Sequence, residues 1–316
     1  MLGQTTTDMP AARPVGQAAR RQLSSRAGEY LFIIPATLLL VLTVVFPIAT
    51  AIYLSFNAVK LVPPQTAFMG FATTFIGLDN YAEALSDPDF WNAFRNTAVF
   101  TVITVIGSLA LGLGMALLLD ASIKARSWWR VLLLSPWVIS PVVAGSTWRW
   151  MFEARYGVFN GIIRTFNESS AGLLWLADPN IAIVSVSIAS IWLRTPFMII
   201  MLLAGLQAIP SEQFEAADVD GASAWTRFRF ITLPNLQYVL MVATLLETIW
   251  TFKQFDLIQI MTGGGPGRVT EVLSTQIYKM SFEFFRFGPA SATGMIMTLV
   301  LAMFAFGYVR LLQSRD

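Results

Sequence analysis

The chain has 316 residues, 55% of them hydrophobic and only 13% charged, with a mean hydropathy of +0.62; soluble domains carry nearer a quarter charged residues. A net charge of +2 is too small to argue for a nucleic-acid partner. With no Cys and no His, the chain excludes disulfides, thiolate metal sites, cysteine nucleophiles, imidazole catalysis and His-ligated metals. That weighs against an enzyme, and no cofactor or metal is expected.

In chain order, residues 1–28 carry Arg13, Arg20, Arg21 and Arg26 among small polar residues and read as a disordered cytoplasmic tail. Residues 29–316 read as one all-α membrane domain, because apolar runs of about 20 residues recur along them. The first span covers 30–55. A cleaved signal peptide competes, since Ala49-Thr50-Ala51 looks like a cleavage site, but the apolar run exceeds the usual h-region of about 7–15 residues. Pro35 and Pro47 inside it are tolerable in a membrane helix. Residues 57–96 read as a polar outer loop, with Phe90, Trp91 and Phe94 at headgroup depth. Further spans are expected at 97–119, 131–151, 181–206, 239–261 and 290–312. Between them lie a tight turn with Lys124, Arg126 and Arg130, a second outer loop over 154–180, a polar segment over 207–236, and a flexible, turn-forming loop Thr262-Gly263-Gly264-Gly265-Pro266-Gly267.

Lysine and arginine set the orientation. With the N-terminus inside, eleven basic residues face the cytoplasm and seven face outward, so six spans with both termini cytoplasmic are expected.

The polar segment 207–236 lies between two apolar runs and so sits in water against a membrane face. Ser211 can cap a helix, and Glu212 and Glu215 suit the positive end of its dipole. Ala216 and Ala217 present a face without bulk, and Gly221 permits a sharp bend. Ser223 starts a second short helix with Trp225, Phe228 and Ile231 on one side and Arg227 and Arg229 toward headgroups or solvent, and Pro234 closes the unit. Composition alone leaves two readings open, an interfacial connector and a docking element for another protein.

Glu215-Ala216-Ala217, then Asp220-Gly221-Ala222, then Ile231-Thr232-Leu233-Pro234 resemble the cytoplasmic coupling loop, called the EAA loop, of ABC-importer permeases. The resemblance continues through Gly77-Leu78-Asp79-Asn80-Tyr81, Pro196-Phe197, Gly205-Leu206-Gln207-Ala208-Ile209-Pro210 and Thr262-Gly263-Gly264-Gly265-Pro266. It points to the carbohydrate branch, the family of the maltose importer's membrane subunits, although the additional N-terminal spans and large outer domain of the most similar subunit are lacking. The resemblance implies a type I importer permease fold in the cytoplasmic (inner) membrane. It implies half of a two-permease pore, with two cytoplasmic ATP-binding subunits and an extracytoplasmic solute-binding protein.

 The expected pore is a heterodimer of permeases, and the expected lipid partner is the bilayer itself. ATPase-coupling roles are implied for Glu215, Ala216, Ala217, Asp220, Gly221 and Ala222. No lysine is followed by Ser or Thr, so the chain has no phosphate-binding loop of its own, and ATP chemistry would belong to another chain.

Ionisable groups inside spans are costly and point to function. Glu247, Trp250, Thr251 and Gln254 recur at i, i+3, i+4 and i+7, hence on one helix face, and Ser190, Leu193, Arg194 and Phe197 share that spacing. Carboxylate, amide, hydroxyl and flat aromatic groups together suit a carbohydrate. The resemblance implies that these eight positions align with the sugar contacts of that family's sugar-binding permease, though Arg194 and Glu247 depart from its small or neutral residues. A structural salt bridge between Arg194 and Glu247 is the competing reading, and Lys253 and Asp256 are read as solvated and outside the site. The alternative cargo is an sn-glycerol phosphate or a sugar alcohol, with Arg194 as the anion's partner. An ion-coupled secondary transporter is the alternative of a different class; it would use broken helices or acidic relays at mid-membrane.

Overall fold

The structure, a computed structural model, describes residues 33–61, 71–121, 124–167 and 172–313; the tail expected over 1–28 lies outside them. The chain divides after Tyr53 into two units. The first unit's described part belongs to helix α1 (Ile33–Ser55). One turn of α1, Val41–Val45, is widened, so that Phe46 N–H bonds the carbonyl of Val41 five residues back. Pro47 follows directly, and the wide turn relieves the clash its ring would make in a regular helix.

In the second unit, β1 (Asn57–Leu61) pairs antiparallel with β2 (Phe71–Phe75), Asn57 opposite Phe75. Helix α2 (Asp79–Ser86) and helix α3 (Pro88–Asp120) follow. The segment expected as a polar loop over 57–96 is therefore a ribbon, a short helix and the first turns of the second span. Asp87 starts α3 by accepting from Asp89 N–H at 2.9 Å, and Pro88 occupies the first turn, where its missing N–H costs nothing. With 33 residues, α3 is about 50 Å long and outreaches a hydrocarbon layer of about 30 Å.

The run expected as one straight span over 131–151 is broken. Helix α4 (Arg126–Leu134) passes through a tight turn, Ser135–Val138, and helix α5 (Pro141–Met151) leaves it at 100°. Pro136 and Pro141 each open a new helical stretch, and Ser140 is held extended (φ −59°, ψ 138°), as a residue before proline prefers. After α6 (Val158–Phe166) come α7 (Ala182–Gln207), α8 (Ser211–Val219) and α9 (Ala224–Phe252). The fifth span thus ends at Phe252 rather than at residue 261; a break over 253–255 separates it from α10 (Asp256–Met261). Helix α11 (Leu273–Tyr278), a wide turn Lys279–Glu283 and α12 (Phe287–Gln313) complete the chain. Among the described residues, α1, α3, α7, α9 and α12 are long and apolar enough to cross a membrane, and the bent α4–α5 pair makes the sixth span.

The most extensive helix contact is between α3 and α7. At Gly112 a Cβ would lie 2.4 Å from the Cβ of Met198, so only glycine lets these helices approach so closely. One apolar cluster, Ala116, Leu202, Leu206 and Leu236, lies at the end of the bundle that leads into α8. Another, with Phe100, Trp148, Val186, Leu257 and Val272, lies toward the opposite end. There Asn96 donates to the carbonyls of Arg268 and Glu271 at 3.0 and 3.1 Å, and Thr97 accepts from Leu273 N–H at 2.9 Å. The glycine loop expected to be flexible is closed on itself. The buried Thr270 hydroxyl donates to the Gly265 carbonyl at 2.6 Å, and buried Glu271 pairs with Lys279 at 2.6 Å. Over the second outer segment, fully buried Asn160 donates to the carbonyls of Ala154 and Leu173 and accepts from Leu173 N–H and Trp175 Nε1, all at 2.9–3.0 Å.

Candidate functional site

Two places hold the residues singled out in the sequence, one at each end of the bundle. At the end away from α8, α7 and α9 face one another as their shared spacing predicts. Arg194 Nη2 donates to Gln254 Oε1, and the rings of Phe197 and Trp250 meet edge-on with centroids 4.8 Å apart. Arg194, Trp250 and Gln254 line an open cavity of about 480 Å³ together with Trp137, Lys253, Phe255 and Asp256. The bend between α4 and α5 carries Trp137 into this wall, and the break after Phe252 exposes the rest. Lys253 and Asp256, read from sequence as outside the site, are part of its lining.

The other four positions lie behind the cavity. Ser190, Leu193, Glu247 and Thr251 are buried, and Leu193 belongs to the apolar cluster around Trp148. Glu247 is fully buried; Ser108 of α3 donates to its Oε1 at 3.5 Å, while its Oε2 has no hydrogen-bond partner. The salt bridge weighed from sequence does not form at contact distance, since no ion pair within 4.0 Å joins Arg194 to Glu247. The guanidinium contacts Gln254 instead. A buried carboxylate oxygen without a hydrogen-bond partner is costly.

Helix α3 adds three buried hydroxyls that the sequence reading passed over: Thr101, Thr104 and Ser108. The first two have no hydrogen-bond partner, and the same is true of the Ser190 and Thr251 hydroxyls. Their signal was the spacing 101, 104, 108 within an otherwise apolar span, a polar stripe at helical period.

At the other end, Asp220 ends α8, and the turn after it is a Schellman motif. Ala222 N–H bonds the Ala217 carbonyl at 2.9 Å, and Gly221 N–H bonds the Asp218 carbonyl at 3.1 Å. Gly221 has φ +71°, the left-handed region, with no atom within 4 Å of where a Cβ would stand. Conformation, not crowding, demands glycine here. Ser223 caps α9, accepting from Thr226 N–H at 3.2 Å, whereas Ser211 is already helical and makes no capping bond. Asp218 pairs with Arg227 across the bend, and Asn235 donates to Gln213 at 2.9 Å.

Pro234 does not close the unit. Helix α9 runs from Ala224 straight through it, because the preceding turn Phe228–Thr232 is widened and Leu233 N–H bonds the Phe228 carbonyl. The second half of the bend is therefore the start of the fifth span. Glu215, Ala216, Asp220 and Gly221 are exposed and Ala217 and Ala222 half-buried, all around the same turn. Val219, Trp225 and Phe230 stand out from it at 89, 66 and 69% exposure, an apolar group that water does not reward.

The chain is matched over residues 21–315 by the family model of the binding-protein-dependent transport system inner membrane component. It is 37% identical to the sulfoquinovosyl glycerol transport system permease protein SmoG of Agrobacterium fabrum, covering 93% of each chain. It is 35% identical to the trehalose/maltose transport system permease protein MalF of Thermococcus litoralis, over 89% of this chain and 92% of that one. Its fold is similar to a chain of a bacterial ABC transporter that imports the acidic polysaccharide alginate, with a TM-score of 0.78 and 19% identity over 93% of this chain and 98% of that one.

Proposed function

The chain belongs to the family of binding-protein-dependent transport system inner membrane components, and from that premise we propose that it forms half the pore of an ATP-driven importer for a sugar or oligosaccharide. It is a multi-pass permease of the inner membrane. In this reading the α8–α9 bend faces the cytoplasm and docks one of two ATP-binding subunits, which hydrolyse the ATP. A second permease completes the pore, and an extracytoplasmic solute-binding protein delivers cargo to the opposite end.

The observation that carries the reading is that one helix, α9, joins both places. Trp225 stands exposed beside the bend, and Trp250 lines the cavity 25 residues on, about 40 Å away along the axis. The cavity mixes indoles with an amide, a carboxylate and two cations, which suits sugar hydroxyls and the apolar face of a sugar ring. The relatives that carry sulfoquinovosyl glycerol and trehalose/maltose support a carbohydrate cargo. Arg194 and Lys253 in one wall favour a second reading, an sn-glycerol phosphate or similar anionic polyol.

The test uses the assembled importer in liposomes with its binding protein, screening neutral sugars and polyol phosphates for stimulated ATP hydrolysis. A cargo should stimulate hydrolysis, and uptake should need ATP and survive collapse of ion gradients. Glu247→Ala and Gln254→Ala should each lower stimulated uptake about 5- to 100-fold, the range for leaving a buried partner unpaired, with assembly intact. Uptake driven by an ion gradient alone would refute the importer, and full uptake by both variants would refute the solute path.

A further inference from the structure

At the end of the bundle that carries the bend, Arg126 and Arg130, one turn apart on α4, converge on Gln207 at the end of α7. With the Gln207 amide turned so that its oxygen faces them, it accepts from the two guanidinium groups at 3.0 and 3.2 Å. One neutral oxygen cannot compensate two like charges. The Nε atoms of both arginines are buried without a hydrogen-bond partner. Asp120, 3.8 Å from Arg126, is the only described carboxylate within 4.0 Å of either. Lys124 in the adjoining turn adds a further positive charge. Both side chains are half-buried and aim their guanidinium groups at Gln207.

Arg130 and Gln207 also line a cavity of about 240 Å³ whose remaining wall is aliphatic, including Leu119, Leu134, Ile199 and Leu203. On the same helix as Arg130, Trp128 and Trp129 stand 78 and 49% exposed, the placement of indoles at headgroup depth. Cations, unsatisfied donors, a hydrocarbon wall and an indole pair are the features of an anionic lipid site. We propose that this notch between α4 and the end of α7 binds the phosphodiester of an anionic phospholipid of the phosphatidylglycerol type, with an acyl chain along the aliphatic wall. The proposal does not depend on which cargo the permease carries.

The test is native mass spectrometry of the assembled complex titrated with phosphatidylglycerol or phosphatidylcholine, with inorganic phosphate as competitor. The wild type should retain phosphatidylglycerol on the order of tenfold more tightly than phosphatidylcholine, and the Arg126→Gln/Arg130→Gln variant should lose that preference. Arg126→Lys/Arg130→Lys keeps the charge and should keep most of it, which guards against a glutamine variant that fails to assemble. Equal retention of the two lipids by the wild type would overturn the proposal. So would undiminished preference in the assembled glutamine variant, or displacement of the lipid by millimolar inorganic phosphate, which would make this a free-phosphate site.

Discussion

Replacing Gly221 by alanine isolates the conformational requirement of the bend. No atom lies within 4 Å of the position an alanine Cβ would take, so the substitution adds no clash. Its cost is that of holding an L-residue at φ +71°, about 1–2 kcal/mol. Beyond the Schellman bonds and the Ser223 cap, which depend on the bent form itself, the turn is braced by the exposed Asn235–Gln213 bond and the partly exposed Asp218–Arg227 pair, and pairs of that kind contribute about 0–1 kcal/mol. Most of the cost should therefore reach the population of the bent form and weaken ATPase-subunit docking about 5- to 30-fold. The assay is titration of detached ATPase subunits onto permease in nanodiscs, with the sugar-stimulated ATPase rate as second readout. Gly221→Asn is the control, because asparagine tolerates the left-handed region, and it should bind within about threefold of wild type. Wild-type docking by Gly221→Ala, or equal damage from alanine and asparagine, would refute the reasoning.

Two further substitutions test packing. Gly112→Ala should drive a methyl into Met198 and destabilise the chain by about 1–3 kcal/mol, seen as a lower melting temperature in detergent, while Gly114→Ala, with nothing within 4 Å, should not. Asn160→Ala should leave the backbone groups of Ala154 and Leu173 and the Trp175 indole without their partner, costing about 3–5 kcal/mol and opening 154–175 to proteolysis.

The spans were legible because hydrocarbon burial leaves a long apolar signature, and the face-sharing of Arg194, Phe197, Trp250 and Gln254 followed from helical period alone. The bend at Pro136 and Pro141 was hidden because both arms are apolar, so hydropathy runs through it without a dip. Pro234 misled for the opposite reason: proline reads as a stop, but a widened turn before it let α9 continue, as one does before Pro47. Lys253 and Asp256 lie near the outer end of the fifth span and so read as solvated, whereas the break over 253–255 puts both in the cavity lining. The polar stripe of Thr101, Thr104 and Ser108 escaped because its members carry no charge. The pairing of Asn96 with residues 268 and 271 is a long-range contact that no local pattern announces.

The wide turn Phe228–Thr232 gives α9 a mechanical character. From Leu233 onward the helix is regular to Phe252, so a sideways push delivered at Leu233 would reach the cavity wall as the motion of a single rod. Slack can be taken up only where the turn is loosened, at the root of the lever, and tightening that turn should make the two ends answer one another more stiffly.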